Sequence, residues 1–255
     1  MEKRLCPREC FNAQKIRRQI HRARHRPFGQ RLHGAGKDER SRRDNQEPSS
    51  VKRILITAGP TREYFDTVRF ISNSSSGYQA SAIAEAFLRR HCEVRIISGP
   101  VGLAYPRGCD VINVVGVRDM LDRARENMRW ADFMVFAAAP CDLMPSKRCE
   151  KKLKKKKSSL PKLAFSPDIA LALSSLKTAP PSAGFDLEDD LDMDEAIDKM
   201  LRKKFDIIVQ NTLPAIASSR TTGYMLSKSD ALLFSDISKK DLAGILCEKI
   251  WRIIN

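Results

Sequence analysis

The chain has 255 residues, 42% of them hydrophobic and 30% charged, with a formal net charge of +15. This length allows one large domain or two small ones around a proper core. No run of about 18 apolar residues is present and the N-terminus lacks an apolar signal core, so neither a membrane span nor a secretory signal is predicted. We therefore expect a cytoplasmic, globular protein.

The first 50 residues differ in composition from the rest. They carry 14 Lys and Arg against 6 Asp and Glu, which places +8 of the +15 charge there. Apolar residues are too few to offset the entropy of ordering, so a disordered basic extension is predicted at 1–50 and a folded domain at 51–255. Nucleic-acid binding by the KIRRQIHRARHR stretch is the minor alternative.

The cysteines and histidines exclude several chemistries. Seven cysteines are scattered without paired spacing, which indicates reduced thiols rather than a metal site or disulfides. Three of the four histidines lie in the basic extension, so a triad based on histidine is not expected. Catalysis in the folded part should therefore depend on Lys, Asn, Asp and backbone groups.

A strand, a loop and a helix are predicted at the start of the folded part. Ile54, Leu55 and Ile56 form an apolar run of strand length, and small turn-forming residues at 57–61 end it. A second break at 72–77 precedes a helical stretch. Backbone N–H groups at such a helix N-terminus hold phosphate, so this region predicts a nucleotide or phosphate site, with an ordinary serine-rich helix cap as the alternative.

The rest of the chain alternates between strand and helix patterns. This alternation predicts an α/β fold, a Rossmann-like three-layer αβα arrangement with a mainly parallel sheet, and ligands beyond the carboxyl ends of the strands. Two alternating runs near the end predict a C-terminal hairpin. Strands are predicted at 92–98, 111–115, 133–139, 182–187, 206–211, 223–228 and 231–236. Helices are predicted at 76–90, 117–130, 193–204 and 239–254, and a further one starts at Ser166 with Pro167 in its first turn.

A basic insertion interrupts this alternation. Eight of the eleven residues from Lys147 to Lys157 are basic, and such a run repels itself unless anions neutralise it. A solvated surface loop is the simpler interpretation. The functional one is a basic flap that closes over a triphosphate, which needs several cations near it.

The string AGPTRE…D..VRFISN.SSG resembles the signature of the bacterial, CTP-dependent phosphopantothenate–cysteine ligases. The likeness extends from Val51 to the C-terminus. It implies a ligase that joins 4′-phosphopantothenate to L-cysteine through an acyl-cytidylate, converting CTP to CMP and pyrophosphate, with Mg²⁺ at the phosphates. It also implies a homodimer, no flavin in this chain, and a separate phosphopantothenoylcysteine decarboxylase in the cell.

The resemblance assigns roles to the residues at matching positions. Asn73, Lys152 and Arg69 are implied to be catalytic, with Asn73 holding the acyl-cytidylate and Lys152 lying on the basic arm, and Asp142 is implied to face the metal. The implied substrate contacts are Arg69, Asn73, Ser75, Ser76 and Gly77. The implied nucleotide contacts are Gly59, Ala137, Ala138, Ala139, Asp142, Lys152, Pro167, Asp168, Ile169, Ala170, Phe185, Lys199 and Lys203.

Some alternatives stay open at this point. Eukaryotic relatives use ATP, and the sequence does not decide between the two nucleotides. Another Rossmann-like nucleotide-binding enzyme would require a GxGxxG loop, which is absent after the first strand. A basic nucleic-acid-binding protein would require aromatic residues among the basic ones, and Lys147–Lys157 contains none.

Overall fold

The computed structural model describes residues 17–18, 51–154, 161–216 and 218–255. The disorder predicted for residues 1–50 falls outside this description except at Arg17 and Arg18, which are helical. The last part of the basic run, from Lys155 onward, also lies outside the described residues.

Eight strands form one mixed sheet, which confirms the predicted α/β fold. In spatial order they are β12, β11, β10, β9, β6, β1, β4 and β5, and all neighbours from β10 to β5 are parallel. The antiparallel strands β11 and β12 add the predicted hairpin at one edge. The strands are β1 (Arg53–Ala58), β4 (Glu93–Ser98), β5 (Cys109–Asn113), β6 (Phe133–Phe136), β9 (Ser182–Glu188), β10 (Ile207–Thr212), β11 (Arg220–Ser227) and β12 (Ala231–Ser238).

Helices cover both faces of the sheet because the central strands are apolar on both sides. Helices α1 and α5 pack on one face, and α2, α3 and α4 pack on the other. The third helix begins later than its sequence suggests, because Asp168 is its N-cap and Pro167 precedes the helix instead of occupying its first turn. The helices are α1 (Tyr78–Leu88), α2 (Val117–Asn127), α3 (Ile169–Ser174), α4 (Met193–Arg202) and α5 (Lys239–Ile254).

Two short two-stranded ribbons were not predicted from the sequence. The strands β2 (Arg62–Tyr64) and β3 (Phe70–Ser72) pair with each other, as do β7 (Leu143–Pro145) and β8 (Leu163–Phe165). Each strand has three residues, which is too short to show a period. The basic run lies in the connection between β7 and β8, which pair with each other in antiparallel fashion.

The strand order reverses at the centre of the sheet. From β1 the chain moves outward to β4 and β5, then returns to place β6 on the opposite side of β1. Loops that leave β1 and β6 therefore diverge to opposite faces, which opens a crevice at their carboxyl ends. The segments after Ala58 and after Phe136 border this crevice.

Among the described helices, none combines the length and the hydrophobicity that crossing a bilayer requires.

Removal of residues 1–48 is expected to leave the melting temperature almost unchanged. The guanidinium of Arg17 contacts Asp198 and lies 3.4 Å from Asp194, but both carboxylates are more than half exposed. Surface ion pairs of this kind contribute about 0–1 kcal/mol, so thermal melts should shift by less than about 3 °C. A fall of more than about 5 °C would show that the segment is part of the folded core.

Candidate active site

A cleft of about 630 Å³, the main cleft, lies across the carboxyl ends of β6, β9 and β10. Its walls come from the loop before α1, the segment after β6, the end of β9, and the starts of α1 and α5. A smaller cavity of about 190 Å³, the side hollow, shares Ala138, Pro140, Asp142, Phe185 and Lys203 with it. The two spaces therefore form one continuous site at the switch point of the sheet.

Hydrogen bonds join the loop after β1 to the loop after β6. The Ala139 N–H donates to the Gly59 carbonyl at 2.9 Å, and the Cys141 N–H donates to Thr61 Oγ1 at 2.9 Å. Asn73 Nδ2 donates to the Pro140 carbonyl at 2.8 Å. These bonds set the spacing of the two loops, and they give Asn73 a structural contact in addition to its place on the cleft wall.

Two glycines allow the loops to approach this closely. Gly59 has φ = 69°, and a Cβ there would lie 2.7 Å from Val101 Cγ1. Gly77, the N-cap of α1, has φ = 75° and would meet the same side chain at 3.0 Å. Side chains rarely adopt this left-handed backbone conformation, so both positions favour glycine for conformation as well as for space. Gly59 therefore shapes the site from behind and does not line it.

The side hollow is built around the start of α3. Its walls include Phe136, Phe205 and the segment Pro167–Ala170, and the Asp168 carboxylate caps the helix by accepting the Leu171 N–H at 3.0 Å. Phe136 and Phe205 stack with ring centroids 5.7 Å apart. A partly aromatic hollow beside a capped helix suits a planar ring such as a nucleotide base.

The two lysines predicted at the nucleotide contact different carboxylates. Lys199 Nζ bonds to Asp186 and to Glu188, the latter at 2.9 Å, while Lys203 Nζ lies 3.0 Å from Asp168. Burial disfavours the charged Lys199, but the hydrogen bonds that it donates to Asp186 and Glu188 outweigh this effect and raise its pKa. Both lysines line the main cleft.

Asp142 differs from the other acidic residues that line the site. Asp168, Asp186 and Glu188 each contact a lysine, whereas within the described residues no cation pairs with Asp142. Mg²⁺ is bound in proteins through one or two carboxylates together with phosphate oxygens and water. The exposed carboxylate of Asp142, where the main cleft joins the side hollow, fits that role.

Arg69 and the arm residue Lys152 line neither the main cleft nor the side hollow. Asp66, whose side chain is fully buried, accepts the backbone N–H groups of Val68, Arg69 and Leu153 at 2.7–3.0 Å. Arg69 donates to the Leu153 carbonyl at 3.0 Å, so both backbone polar groups of Leu153 are held. Arg69, predicted to contact substrate, here fixes the base of the arm next to the exposed Lys152.

Asp66→Asn is expected to remove a stabilising interaction that depends on pH. The hydrogen bonds from Arg69 and Leu153 lower the pKa of Asp66 from 3.8 to about 2. A carboxyl whose pKa is lowered by folding stabilises the protein above its ordinary pKa, and that contribution is lost as the pH falls towards the folded value. Urea unfolding should show the wild type as the more stable protein at pH 6, and the difference should shrink between pH 4 and pH 2.

The exposed residue Asp122 provides a control for this experiment, because it forms only a surface pair with Arg125. Asp122→Asn should differ little from the wild type across the same range. A constant difference between wild type and Asp66→Asn down to pH 2 would contradict the lowered pKa.

Most residues with implied roles converge on the site. Gly59, Arg69 and Lys152 are the exceptions, since they do not line either space. Those on the walls of the main cleft are Asn73, Ser75, Ser76, Gly77, Ala137, Ala138, Ala139, Asp142, Phe185, Lys199 and Lys203. Those confined to the side hollow are Pro167, Asp168, Ile169 and Ala170.

Further wall residues were missed by the sequence analysis. Asp186 and Glu188 are two positions apart at the end of β9, a spacing that places both on one face of a strand and was available in the sequence. No sequence signal distinguishes Gln79, Asn211 or Lys239 from ordinary polar residues, and their positions follow only from the packing of α1, β10 and α5.

The chain resembles a known protein family and proteins of known function. Residues 49–253 match the family described as the DNA/pantothenate metabolism flavoprotein C-terminal domain. The coenzyme A biosynthesis bifunctional protein CoaBC of Haemophilus influenzae is 40% identical over 160 residues, which cover 62% of this chain and 40% of that protein. The chain thus spans less than half the length of this relative.

Solved structures share the fold. The crystal structure of a C-terminal domain of CoaBC is 29% identical, with a TM-score of 0.70, and the match covers 80% of this chain and 95% of that one. A Cab2 mutant in complex with phosphopantothenate-cysteine is 16% identical, with a TM-score of 0.65, and the match covers 80% of this chain and 87% of that one. At that identity, the likeness to Cab2 shows a common fold alone.

Proposed function

Because the chain belongs to the family of the DNA/pantothenate metabolism flavoprotein C-terminal domain, we propose that it is a phosphopantothenate–cysteine ligase. The observation that carries this proposal is the convergence of three separate segments on one site: the Asn73–Gly77 loop, the Ala137–Asp142 loop and the Pro167–Ala170 loop. These are the segments in which the sequence resembles the ligases, and they are far apart in the chain.

The reaction has two steps. A carboxylate oxygen of 4′-phosphopantothenate bonds to the α-phosphorus of CTP while the bond from that phosphorus to the bridging oxygen breaks, and pyrophosphate leaves. The amine of L-cysteine then bonds to the acyl carbon, the bond to CMP breaks, and the amine loses a proton. Neither step requires a nucleophilic side chain, so the protein acts by positioning substrates and by neutralising charge.

The site divides naturally between these substrates. The side hollow, with Phe185 at its border and Phe136 and Phe205 in its wall, suits the base. Lys203 lies where the side hollow meets the main cleft, close to where the phosphates of a nucleotide would emerge. The rest of the main cleft is then left for the acid, with Asn73 on the wall between them.

Mg²⁺ would be held by the carboxylate of Asp142 together with the nucleotide phosphates. When bound, it would neutralise phosphate charge and make pyrophosphate a better leaving group. Lys152 of the arm would supply further positive charge at the phosphates of a cleft within the arm's reach.

In a homodimer, the arm of each subunit would reach the cleft of the partner subunit. Apolar side chains exposed on the two ribbons support this: Val68, Phe70, Leu163 and Phe165 are 40–86% exposed. Sedimentation equilibrium tests the dimer.

The free thiols of the described cysteines support a reducing compartment such as the cytoplasm.

A direct assay tests the function. Purified protein with CTP, Mg²⁺, 4′-phosphopantothenate and L-cysteine should form 4′-phosphopantothenoylcysteine, detected by mass spectrometry, with one CMP per product. A parallel series with ATP decides the nucleotide, because AMP instead of CMP would then accompany product. Absence of product with either nucleotide would refute the proposal.

A further inference from the structure

The described part of the arm, residues 147–154, is attached to the turn between β2 and β3 at two points. At the first point, the Cys149 N–H donates to the Phe65 carbonyl at 2.8 Å. At the second, further along the chain, the Leu153 N–H donates to Asp66 Oδ2 at 3.0 Å. The residues between the two points, 150–152, are therefore held at both ends, and we call them the clamped segment.

Lys152 lies at the end of the clamped segment. It is exposed, whereas the next residue, Leu153, is partly buried, and the Leu153 carbonyl accepts a second bond from Arg69 Nη2 at 3.0 Å. A lysine ammonium is carried on a flexible four-carbon stem. Because the backbone beside Lys152 is fixed, the volume that its ammonium can reach is smaller than on an unattached loop.

The carboxylate of Asp66 connects the turn to the arm. It is fully buried, and its Oδ1 accepts the N–H groups of Val68 and Arg69 at 2.7 and 2.8 Å, which sets the shape of the turn. Its Oδ2 accepts the Leu153 N–H and lies 3.4 Å from Arg69 Nη1. The hydrogen bonds from the backbone of Arg69 and Leu153 lower the pKa of Asp66 to about 2, so the group is an anion at neutral pH.

Aromatic contacts attach the arm at the opposite end of the clamped segment. The guanidinium of Arg148 lies 5.2 Å from the centroid of the Tyr64 ring, and that ring packs against Phe70 with centroids 5.3 Å apart. The arm thus follows the ribbon of β2 and β3 from Arg148 to Leu153. Among the hydrogen bonds at the two attachment points, the one to Asp66 is accepted by a side chain and can be removed by a substitution that hardly changes volume.

We propose that Asp66 is a positioning residue for the first step of the reaction, and that it acts by holding the backbone beside Lys152. This inference rests on the proposed function, in which Lys152 supplies a cation at the phosphates while the acid is activated. Displacement of such a group by about 1 Å can lower a rate about 100-fold. Asp66 lines neither the main cleft nor the side hollow, so its effect on the reaction passes through Lys152.

Asp66→Asn tests the positioning role. When the asparagine oxygen accepts the N–H groups of the turn, its amide group faces the Leu153 N–H, which is another donor, and the bond is lost. The rate of acyl-cytidylate formation, measured without cysteine at a temperature at which both proteins are folded, should fall about 10- to 100-fold. Hydrogen exchange of the Leu153 amide should become at least about 10-fold faster.

A double-mutant cycle distinguishes positioning from a general loss of structure. Addition of Asp66→Asn to Lys152→Gln should lower the rate by less than about 2-fold further, because the group that Asp66 positions is already absent. A purely structural role would give the same loss in both backgrounds, since it does not depend on the ammonium of Lys152.

Glu63 provides the matched control. It is a buried carboxylate of β2 that accepts the Val117 N–H at 2.7 Å, and it therefore holds α2 instead of the arm. Glu63→Gln should leave both the rate of acyl-cytidylate formation and the exchange of the Leu153 amide close to those of the wild type.

A second pair of variants removes the same hydrogen bond from the arm, in case Asp66→Asn does not fold. Leu153→Pro has no N–H to donate to Asp66, whereas Leu153→Ala keeps it. The proline variant should show the fall in rate expected for Asp66→Asn, and the alanine variant should retain most of the wild-type rate.

Three results would overturn the inference. One is a wild-type rate of acyl-cytidylate formation by Asp66→Asn or Leu153→Pro, and another is an unchanged exchange rate of the Leu153 amide in Asp66→Asn. The third is an equal loss from Asp66→Asn with and without Lys152. If the wild type formed no acyl-cytidylate, the proposed function and the positioning role would fail together, whereas wild-type activity with unaffected variants would refute the positioning role alone.

Discussion

Lys152→Gln should abolish most acyl-cytidylate formation while leaving the fold intact. Lys152 is exposed on the arm, and the contacts that hold this part of the arm are made by the backbone of Leu153. Removing one cation from the site of phosphoryl charge costs about 2–4 kcal/mol of transition-state stabilisation, by analogy with the loss of an oxyanion-hole donor. The rate of adduct formation should therefore fall about 30- to 1,000-fold.

A quenched reaction without cysteine measures this directly, because the acyl-cytidylate then accumulates. Lys151→Gln carries the same change in charge at an adjacent exposed position and should retain most of the wild-type rate. Equal adduct yields from Lys152→Gln and wild type would remove Lys152 from the mechanism.

Asn73→Asp should slow formation of the product about 100-fold or more, by analogy with oxyanion-hole losses. Asn73 Nδ2 donates to the Pro140 carbonyl at 2.8 Å, and a carboxylate oxygen at that position faces another acceptor. The substitution also adds a negative charge to a wall where a mixed anhydride must bind. The lost hydrogen bond loosens the contact between the two loops, and the added negative charge disfavours the bound intermediate.

The assay uses labelled 4′-phosphopantothenate with CTP, Mg²⁺ and cysteine, quenched at short times. The control Asn113→Asp makes the same chemical change at the exposed end of β5. If Asn73→Asp formed product at the wild-type rate, Asn73 would have no role in catalysis and only its structural hydrogen bond with Pro140 would remain.

The sheet could be predicted because its strands are buried on both faces. Runs such as Ile54–Ile56 are apolar throughout, and turn-forming residues interrupt them at regular intervals. The convergence of the site followed from the same pattern, since the carboxyl ends of parallel strands meet at one edge. The loops around Asn73 and Ala138 accordingly lie where the alternation of strands and helices predicts them.

Features that depend on tertiary packing were not predictable. Lys239 begins an amphipathic helix and has the sequence context of a surface lysine, yet α5 packs so that its side chain is buried. Ile253 shows the converse: it follows the apolar period of α5, yet it lies near the end of the helix and is 42% exposed. The sequence resemblance implied that Arg69 contacts a ligand. Its hydrogen bond to Leu153 on the arm could not be predicted, because it depends on a fold that brings these two residues together.

Activation of the acid by the nucleotide is the defining step of the proposed reaction. Wild-type protein with CTP and Mg²⁺, but without cysteine, should release one equivalent of pyrophosphate per site when 4′-phosphopantothenate is added, and then stop. Addition of cysteine should start continuous release. Failure of 4′-phosphopantothenate to trigger any pyrophosphate from either CTP or ATP would contradict the assignment of this cleft to a phosphopantothenate–cysteine ligase.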